Sequence, residues 1–142
     1  MKKLLTLFAA VLVVTMTALP ASAKDISSVK DEQSKMSTSG VKYVLVHEGG
    51  SARSGEYLAD SNVTDSFDYV NQTVSATGYT NVKNSSGQEV RHYTTTRWEN
   101  LGLVLASSGR IWGTGNVYAT ATVSLSTWNS NPLIGPRIYW GT

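Results

Sequence analysis

Two histidines and one neighbouring carboxylate are the residues of this chain best suited to acid–base chemistry. His47 is followed directly by Glu48, and His92 lies in a separate segment. Imidazole and carboxylate groups exchange protons near neutral pH, so these three residues would suit a small secreted hydrolase. The His-Glu-x-x-His pattern of a zinc hydrolase is absent, because Gly49 follows in a loop. The alternative is that each histidine is a strand residue with satisfied ring nitrogens.

Oxygen-bearing side chains are concentrated between residues 60 and 68. Calcium takes about six to eight oxygen ligands, and carboxylates and amides supply them. The EF-hand pattern is not met, since the segment has no glycine at the required offset and no closing glutamate. A solvated turn with Asx-type hydrogen bonds is the alternative. Calcium is the one cofactor that the sequence suggests, and its candidate ligands are Asp60, Asn62, Asp65 and Asp68.

Other catalytic motifs are missing. The chain has no cysteine, which excludes disulfides, zinc–thiolate sites and thiol nucleophiles. A Gly-x-Ser-x-Gly elbow is absent, and Gly113-Thr114-Gly115 lacks the later glycine and lysine of a phosphate-binding loop. The residues therefore favour a protein without catalytic activity.

Aromatic side chains gather in the last third of the chain. We expect Trp98 and Trp112 to fill the core. Trp128 lies in a polar loop, and two adjacent aromatics near the end of the chain must face opposite sides of a strand, so at least one of them is expected to be exposed. Exposed tryptophan and tyrosine suit stacking on sugars or anchoring at a partner surface. The candidate ligand-binding residues are Trp128, Asn129, Asn131, Tyr139 and Trp140.

Charge excludes one class of partner. Lys2 and Lys3 account for the formal net charge of +2, so residues 24–142 are formally neutral. They contain no run of lysine and arginine, which argues against nucleic-acid binding and against docking on an anionic membrane.

The first 23 residues have the layout of a cleaved export signal. Lys2 and Lys3 precede an apolar run from Leu4 to Val14, and Ala21-Ser22-Ala23 supplies a small-x-small cleavage pattern. The apolar run is shorter than the roughly 20 residues of a membrane-spanning helix. We therefore predict a secreted protein, extracellular or in the cell envelope and bacterial in style. Residues 24–40 are polar and are expected to form a flexible lead.

Residues 41–142 carry the alternation of β-strands and no convincing helix. From Val117 to Leu125, apolar and polar residues alternate strictly, as in a half-buried strand. Pro136 is expected to place the last strand at a sheet edge or to bulge it. We predict an all-β domain, a single antiparallel β-sandwich or small barrel of about six to eight strands. The predicted strands are 41–47, 67–77, 89–96, 98–106, 110 onward, 117–125 and 133–140, with a turn at 107–109 and a loop at 128–132.

Three functional hypotheses follow from these patterns. The first is a non-catalytic binding protein that recognises a carbohydrate, a cell-envelope component or a protein surface through exposed aromatics. The second is a bacteriocin-like or membrane-active β-toxin, indicated by the Ser/Thr alternation of residues 69–77 and 118–125. Membrane contact is expected only in this case. The third is the hydrolase based on His47, Glu48 and His92.

Overall fold

The computed structural model describes residues 31–48 and 56–142, and strands make up most of them. The predicted signal segment 1–23 lies outside this part of the chain. The elements are β1 (Asp31–Met36), β2 (Lys42–His47), β3 (Tyr57–Asp68), β4 (Thr73–Asn84), β5 (His92–Asn100), β6 (Leu103–Ser107), β7 (Ile111–Gly113), β8 (Val117–Ser124), α1 (Leu125–Ser130) and β9 (Ile134–Gly141).

The strands form two sheets that pack face to face. The six-stranded sheet has the order β1-β2-β9-β5-β6, and β7 pairs with β5 on the same side as β6. The three-stranded sheet has the order β3-β4-β8. Only β2 and β9 pair in parallel among the described strands. The all-β sandwich is confirmed, and within the described residues the two sheets are separate layers rather than a closed barrel.

The inner faces of the two sheets form the core. Strand β8 alternates as its sequence predicts, with Val117, Ala119, Ala121 and Val123 buried. Trp98, on β5, crosses the interface and donates its indole N–H to the Ala121 carbonyl at 3.0 Å. A Cβ on Gly78 would lie 2.6 Å from the Thr96 hydroxyl, so glycine is needed for the sheets to approach this closely.

Part of the predicted flexible lead is a strand. Residues 31–36 form β1, which pairs with β2 along its whole length, although Met36 is the only large apolar residue there. Ladder hydrogen bonds, rather than burial of its own side chains, therefore order this segment. The preceding residues 24–30 lie outside the described part.

Several predicted boundaries are wrong. The predicted strand 67–77 contains a hairpin turn at residues 69–72, and the segment 60–68, interpreted as a calcium site or a solvated turn, lies in β3. The turn predicted at 107–109 separates β6 from β7, whereas the tight hairpin turn is at Leu101–Gly102. The predicted loop 128–132 begins within α1, whose N-cap Ser124 accepts a hydrogen bond from the Thr127 N–H.

The last strand is not at an edge. Strand β9 lies between β2 and β5, and it contains Pro136. The ladder to β2 begins one residue later, at Arg137, so the missing N–H of proline falls outside that pairing.

Candidate binding surfaces

The three residues of the hydrolase hypothesis are not brought together. His92 is fully buried on the inner face, where its two ring nitrogens lie 2.9 Å and 3.0 Å from the carbonyl oxygens of Val90 and Thr80. His47 is level with Thr94 in register, with β9 between them, which places the histidines more than about 10 Å apart. It stacks on Trp140 at 4.1 Å. His92 is thus a buried core residue whose ring lies against backbone carbonyl groups, and it is not part of a catalytic pair with His47.

Glu48 faces the opposite side of the sheet from His92. Its carboxylate accepts a hydrogen bond from the Tyr93 hydroxyl at 3.0 Å and lies 3.8 Å from the guanidinium groups of Arg97 and Arg110. It therefore belongs to a cluster of arginines and aromatic rings on the outer face of the six-stranded sheet.

The predicted calcium ligands lie along one strand. Asp60, Asn62, Asp65 and Asp68 are all on β3, and eight residues of extended chain span about 27 Å. One ion cannot contact both ends of such a segment. Within the described residues, no group of three or more His, Asp or Glu side chains is placed to hold a metal ion.

Asp68 stabilises the turn that follows β3. Its carboxylate accepts hydrogen bonds from the Asn71 N–H at 2.9 Å, the Asn71 amide at 2.7 Å and the Val70 N–H at 3.0 Å. These hydrogen bonds lower the pKa of Asp68, and the bond from the Asn71 backbone N–H has the largest effect. The Asx-type turn is confirmed at this residue.

The predicted aromatic site is not one surface, because Trp128 lies on α1 whereas Tyr139 and Trp140 lie on β9. Tyr139 and Trp140 are both buried, so the expectation that one would be exposed is wrong. Both faces of β9 are covered: Trp140 faces the core, and the Arg97 guanidinium lies 4.2 Å over the Tyr139 ring. The Tyr139 hydroxyl donates to Glu99 at 2.5 Å.

The other predicted aromatics also differ in exposure. Trp98 is a core residue as expected, whereas Trp112 is 45% exposed and is not. Trp128, on α1, is partly buried against the core and meets Phe67 edge-on at 5.2 Å. Asn129 is exposed on α1, while Asn131 follows that helix and accepts a hydrogen bond from the Leu133 N–H at 2.9 Å.

The outer face of the three-stranded sheet is a regular polar surface, which we call the polar face. Its side chains alternate with the buried residues of the same strands and stand in register across them. Ser75 and Thr122 share a hydrogen bond of 2.7 Å, and Thr77 and Thr120 share one of 2.8 Å. The face comprises Asp60, Asn62, Thr64, Ser66, Asp68, Thr73, Ser75, Thr77, Tyr79, Asn81, Tyr118, Thr120, Thr122 and Ser124.

Two tyrosines form one row of the polar face. Tyr79 and Tyr118 are directly opposite in register, with ring centroids 5.3 Å apart, and Tyr118 is 55% exposed. On one side the next row carries Thr77 and Thr120; on the other, the Asn81 amide donates to Asn116 at 2.9 Å. Apolar ring surface is thus bordered by hydroxyl groups and amides.

A row of cations and rings lies on the outer face of the six-stranded sheet, where β7 pairs with β5, and we call it the arginine–aromatic row. The Arg91 guanidinium carbon lies 5.1 Å from the centroid of the Trp112 ring, which meets Tyr93 edge-on at 5.1 Å. The Arg110 guanidinium then lies 4.5 Å over Tyr93. Pairing of β5 with β7 places Tyr93 opposite Trp112 and so builds this row.

The other end of the same outer face holds a groove of about 620 Å³. Gly135 has no side chain to fill the space beside Glu99 and Arg137, so the groove is deeper there. Its lining includes three exposed apolar side chains, which we call the apolar rim: Met36, Leu101 and Leu133.

The Ser/Thr alternation of the polar face is visible in the sequence, whereas the arginine–aromatic row is not. The alternation is local and visible in each strand. The row joins residues of β5 and β7, and no sequence pattern predicted that pairing.

Comparisons of the chain with protein-family models, with curated proteins and with solved structures give no match. Function is therefore inferred from the geometry of these surfaces.

Proposed function

We propose that this chain is a secreted, non-catalytic binding protein that recognises a neutral carbohydrate on its polar face. The observation that carries the proposal is the pair of half-buried Tyr79 and exposed Tyr118 within a continuous array of hydroxyl and amide groups. Secretion is supported by the signal-like pattern of residues 1–23.

The chemistry of the polar face matches that of a polyol. Each hydroxyl group both donates and accepts hydrogen bonds, and each amide offers donors and an acceptor, as sugar hydroxyls require. Aromatic rings present an apolar surface on which the C–H face of a sugar ring packs. Strand pairing fixes the backbone beneath these groups, so little conformational entropy is lost on binding.

The charge of the polar face favours a neutral ligand. Asp60 and Asp68 are its acidic members, exposed Lys83 extends β4 on the same side, and Glu89 lies beside the face, accepting from the Asn81 amide at 3.1 Å. Anionic ligands would be repelled by these carboxylates.

Co-sedimentation with insoluble neutral polysaccharides, such as cellulose and chitin, tests the proposal. We expect the wild-type protein to be retained on at least one polymer. Tyr118→Ala should reduce the affinity about tenfold or more, equivalent to about 1.4 kcal/mol, because an aromatic contact is lost. Tyr118→Phe should keep most of the affinity, since the ring remains.

Tyr69→Ala is the matched control. Tyr69 is 71% exposed but lies in the β3–β4 turn, about 20 Å along the sheet from Tyr118. Its loss should leave retention unchanged. Equal losses for the two alanine variants, or none for Tyr118→Ala, would exclude the polar face as the binding surface.

The second candidate function is membrane activity, and the apolar rim is the observation that favours it. Met36, Leu101 and Leu133 are each more than half exposed around one groove, and patches of this kind mark contacts with partners or lipid. No helix that the structure describes is long and apolar enough to cross a membrane. Liposomes in the same co-sedimentation assay separate the two candidates: retention on lipid but not on polysaccharide supports this one.

A further inference from the structure

We propose that the arginine–aromatic row is a second binding site, which takes a sugar ring carrying an oxyanion such as a sulfate, phosphate or carboxylate. It lies on the opposite outer face of the sandwich from the polar face and does not depend on carbohydrate binding there. Arg91, Trp112 and Arg110 are the residues that would contact the ligand.

Trp112 provides an open aromatic surface at the centre of the site. It is 45% exposed, whereas Trp98 and Trp140 are 2% and 6% exposed. Tryptophan buries more apolar surface than most residues when it packs in a core, so an exposed indole on a sheet suits ligand contact better than stability.

One guanidinium group, that of Arg91, lies over this ring, and a second, that of Arg110, lies over the neighbouring Tyr93 ring. The Arg110 side chain is 58% exposed, and Arg91 is also exposed. Contact with the Trp112 and Tyr93 rings restrains the two guanidinium groups. A guanidinium group forms paired, charge-assisted hydrogen bonds with an oxyanion, and a restrained one loses less entropy on doing so.

The local charge is positive although the chain from residue 24 is formally neutral. Arg97 and Arg110 lie beside one carboxylate, that of Glu48, whereas Arg91 lies over Trp112 in the same row. Glu48 also accepts the Tyr93 hydroxyl at 3.0 Å, and its contacts with the two arginines are long, at 3.8 Å each. Within the described residues, Arg91 forms no salt bridge. The row thus has cationic charge available for an anion.

Both parts of the proposed ligand follow from this arrangement. The oxyanion would pair with Arg91 or Arg110, and the sugar ring would pack on Trp112 between them. Cation, indole, phenol and cation follow one another at about 5 Å, so a substituted sugar fits the row better than an isolated ion.

Calorimetric titration of the full-length protein with a disaccharide in four forms tests the inference: sulfated, phosphorylated, carboxylated and unsubstituted. At least one anionic form should bind, at least tenfold more tightly than the unsubstituted form. The double variant Arg91→Gln, Arg110→Gln should weaken anionic binding at least tenfold, and added salt should weaken it in the wild type. Lys42→Gln, which removes an exposed cation at the groove end of the same face, should leave it unchanged.

Two further measurements separate the parts of the inference. Trp112→Ala should weaken binding of the anionic sugar but not of inorganic sulfate, and Tyr118→Ala should change neither. Arg110→Lys keeps the charge but not the paired hydrogen bonds, so an intermediate affinity is expected, and it replaces the glutamine variant should that variant unfold. Equal affinity of wild type and double variant, or equal affinity for inorganic sulfate and sulfated sugar, would overturn the proposal.

Discussion

Three consecutive threonines on β5 are buried in three different environments. The Thr94 hydroxyl, on the inner face, shares a hydrogen bond of 2.6 Å with Thr80 across the two sheets. The hydroxyl groups of Thr95, on the outer face, and of Thr96, on the inner face, are buried with no hydrogen-bond partner among the described residues. A buried hydroxyl group without a partner costs free energy that a methyl group of similar size does not.

Replacing these threonines one at a time by valine should give opposite results. Thr95→Val and Thr96→Val should each raise the free energy of unfolding, by about 1 kcal/mol. Thr94→Val should lower it by about 1–3 kcal/mol, because the Thr80 hydroxyl is left buried and unpaired. Urea unfolding of the three variants measures the difference.

The double variant Thr80→Val, Thr94→Val is the control for that interpretation. Both hydroxyl groups are then absent, so most of the lost stability should return. A double variant no more stable than Thr94→Val would show that packing, not the hydrogen bond, sets the cost.

Two tyrosines should make the stability of the protein fall at alkaline pH. Burial, and then the hydrogen bonds to Glu48 and Glu99, raise the pKa of Tyr93 and Tyr139 to about 12 from the ordinary 10.0. The unfolded chain therefore loses these protons at a lower pH than the folded protein. Their contribution to stability is complete below pH 10 and is lost as the pH rises to about 12.

Urea unfolding at a series of pH values tests this. The free energy of unfolding of the wild type should fall more steeply above pH 10 than that of the double variant Tyr93→Phe, Tyr139→Phe, which cannot ionise at these positions. Parallel pH profiles would mean that other groups control alkaline unfolding.

At the scale of the element, the β5–β6 hairpin contains an exposed leucine in an unfavourable backbone conformation. Leu101 has φ of 48° and Gly102 has φ of 89°, and Leu101 is 82% exposed. Two-residue hairpin turns of this type favour asparagine followed by glycine, because a left-handed conformation is costly for a bulky side chain. Leucine at position 101 therefore lowers the stability of this turn.

Leu101→Asn should stabilise the protein by about 0.5–1 kcal/mol, since asparagine tolerates this conformation better. Thermal unfolding measures the change. Leu133→Asn, another exposed leucine of the apolar rim, serves as the control and should have little effect on stability. A loss of stability in Leu101→Asn would show that the leucine packs favourably despite its exposure.

Element type was easier to predict than element boundary. The alternation of β2 and β8 depends only on which side chains face the core, and it is visible locally. The turn at Leu101–Gly102 was missed because leucine is not a turn residue, whereas Ser107-Ser108-Gly109 has the composition of a turn and connects two strands less tightly.

At the scale of the whole molecule, sequence patterns predicted the sandwich but not which strands are neighbours. The polar character of β4 and β8 was evident, yet the Tyr79–Tyr118 pair exists only because these strands are in register. Tyr139 was misjudged for the same reason: it does face away from Trp140, but side chains of the neighbouring strand β5, Arg97 and Glu99, contact it there. Contacts between residues far apart in sequence decide both outcomes.

The central position of β9 also determines when the molecule can fold. Strand β9 lies between β2 and β5. The β1–β2 pair therefore cannot be joined to the strands β5, β6 and β7 until residues 134–141 are synthesised. Contacts of such long sequence separation close large loops and slow folding. Until those residues are synthesised, a nascent chain therefore keeps this sheet open, with unpaired strand edges that a chaperone can engage.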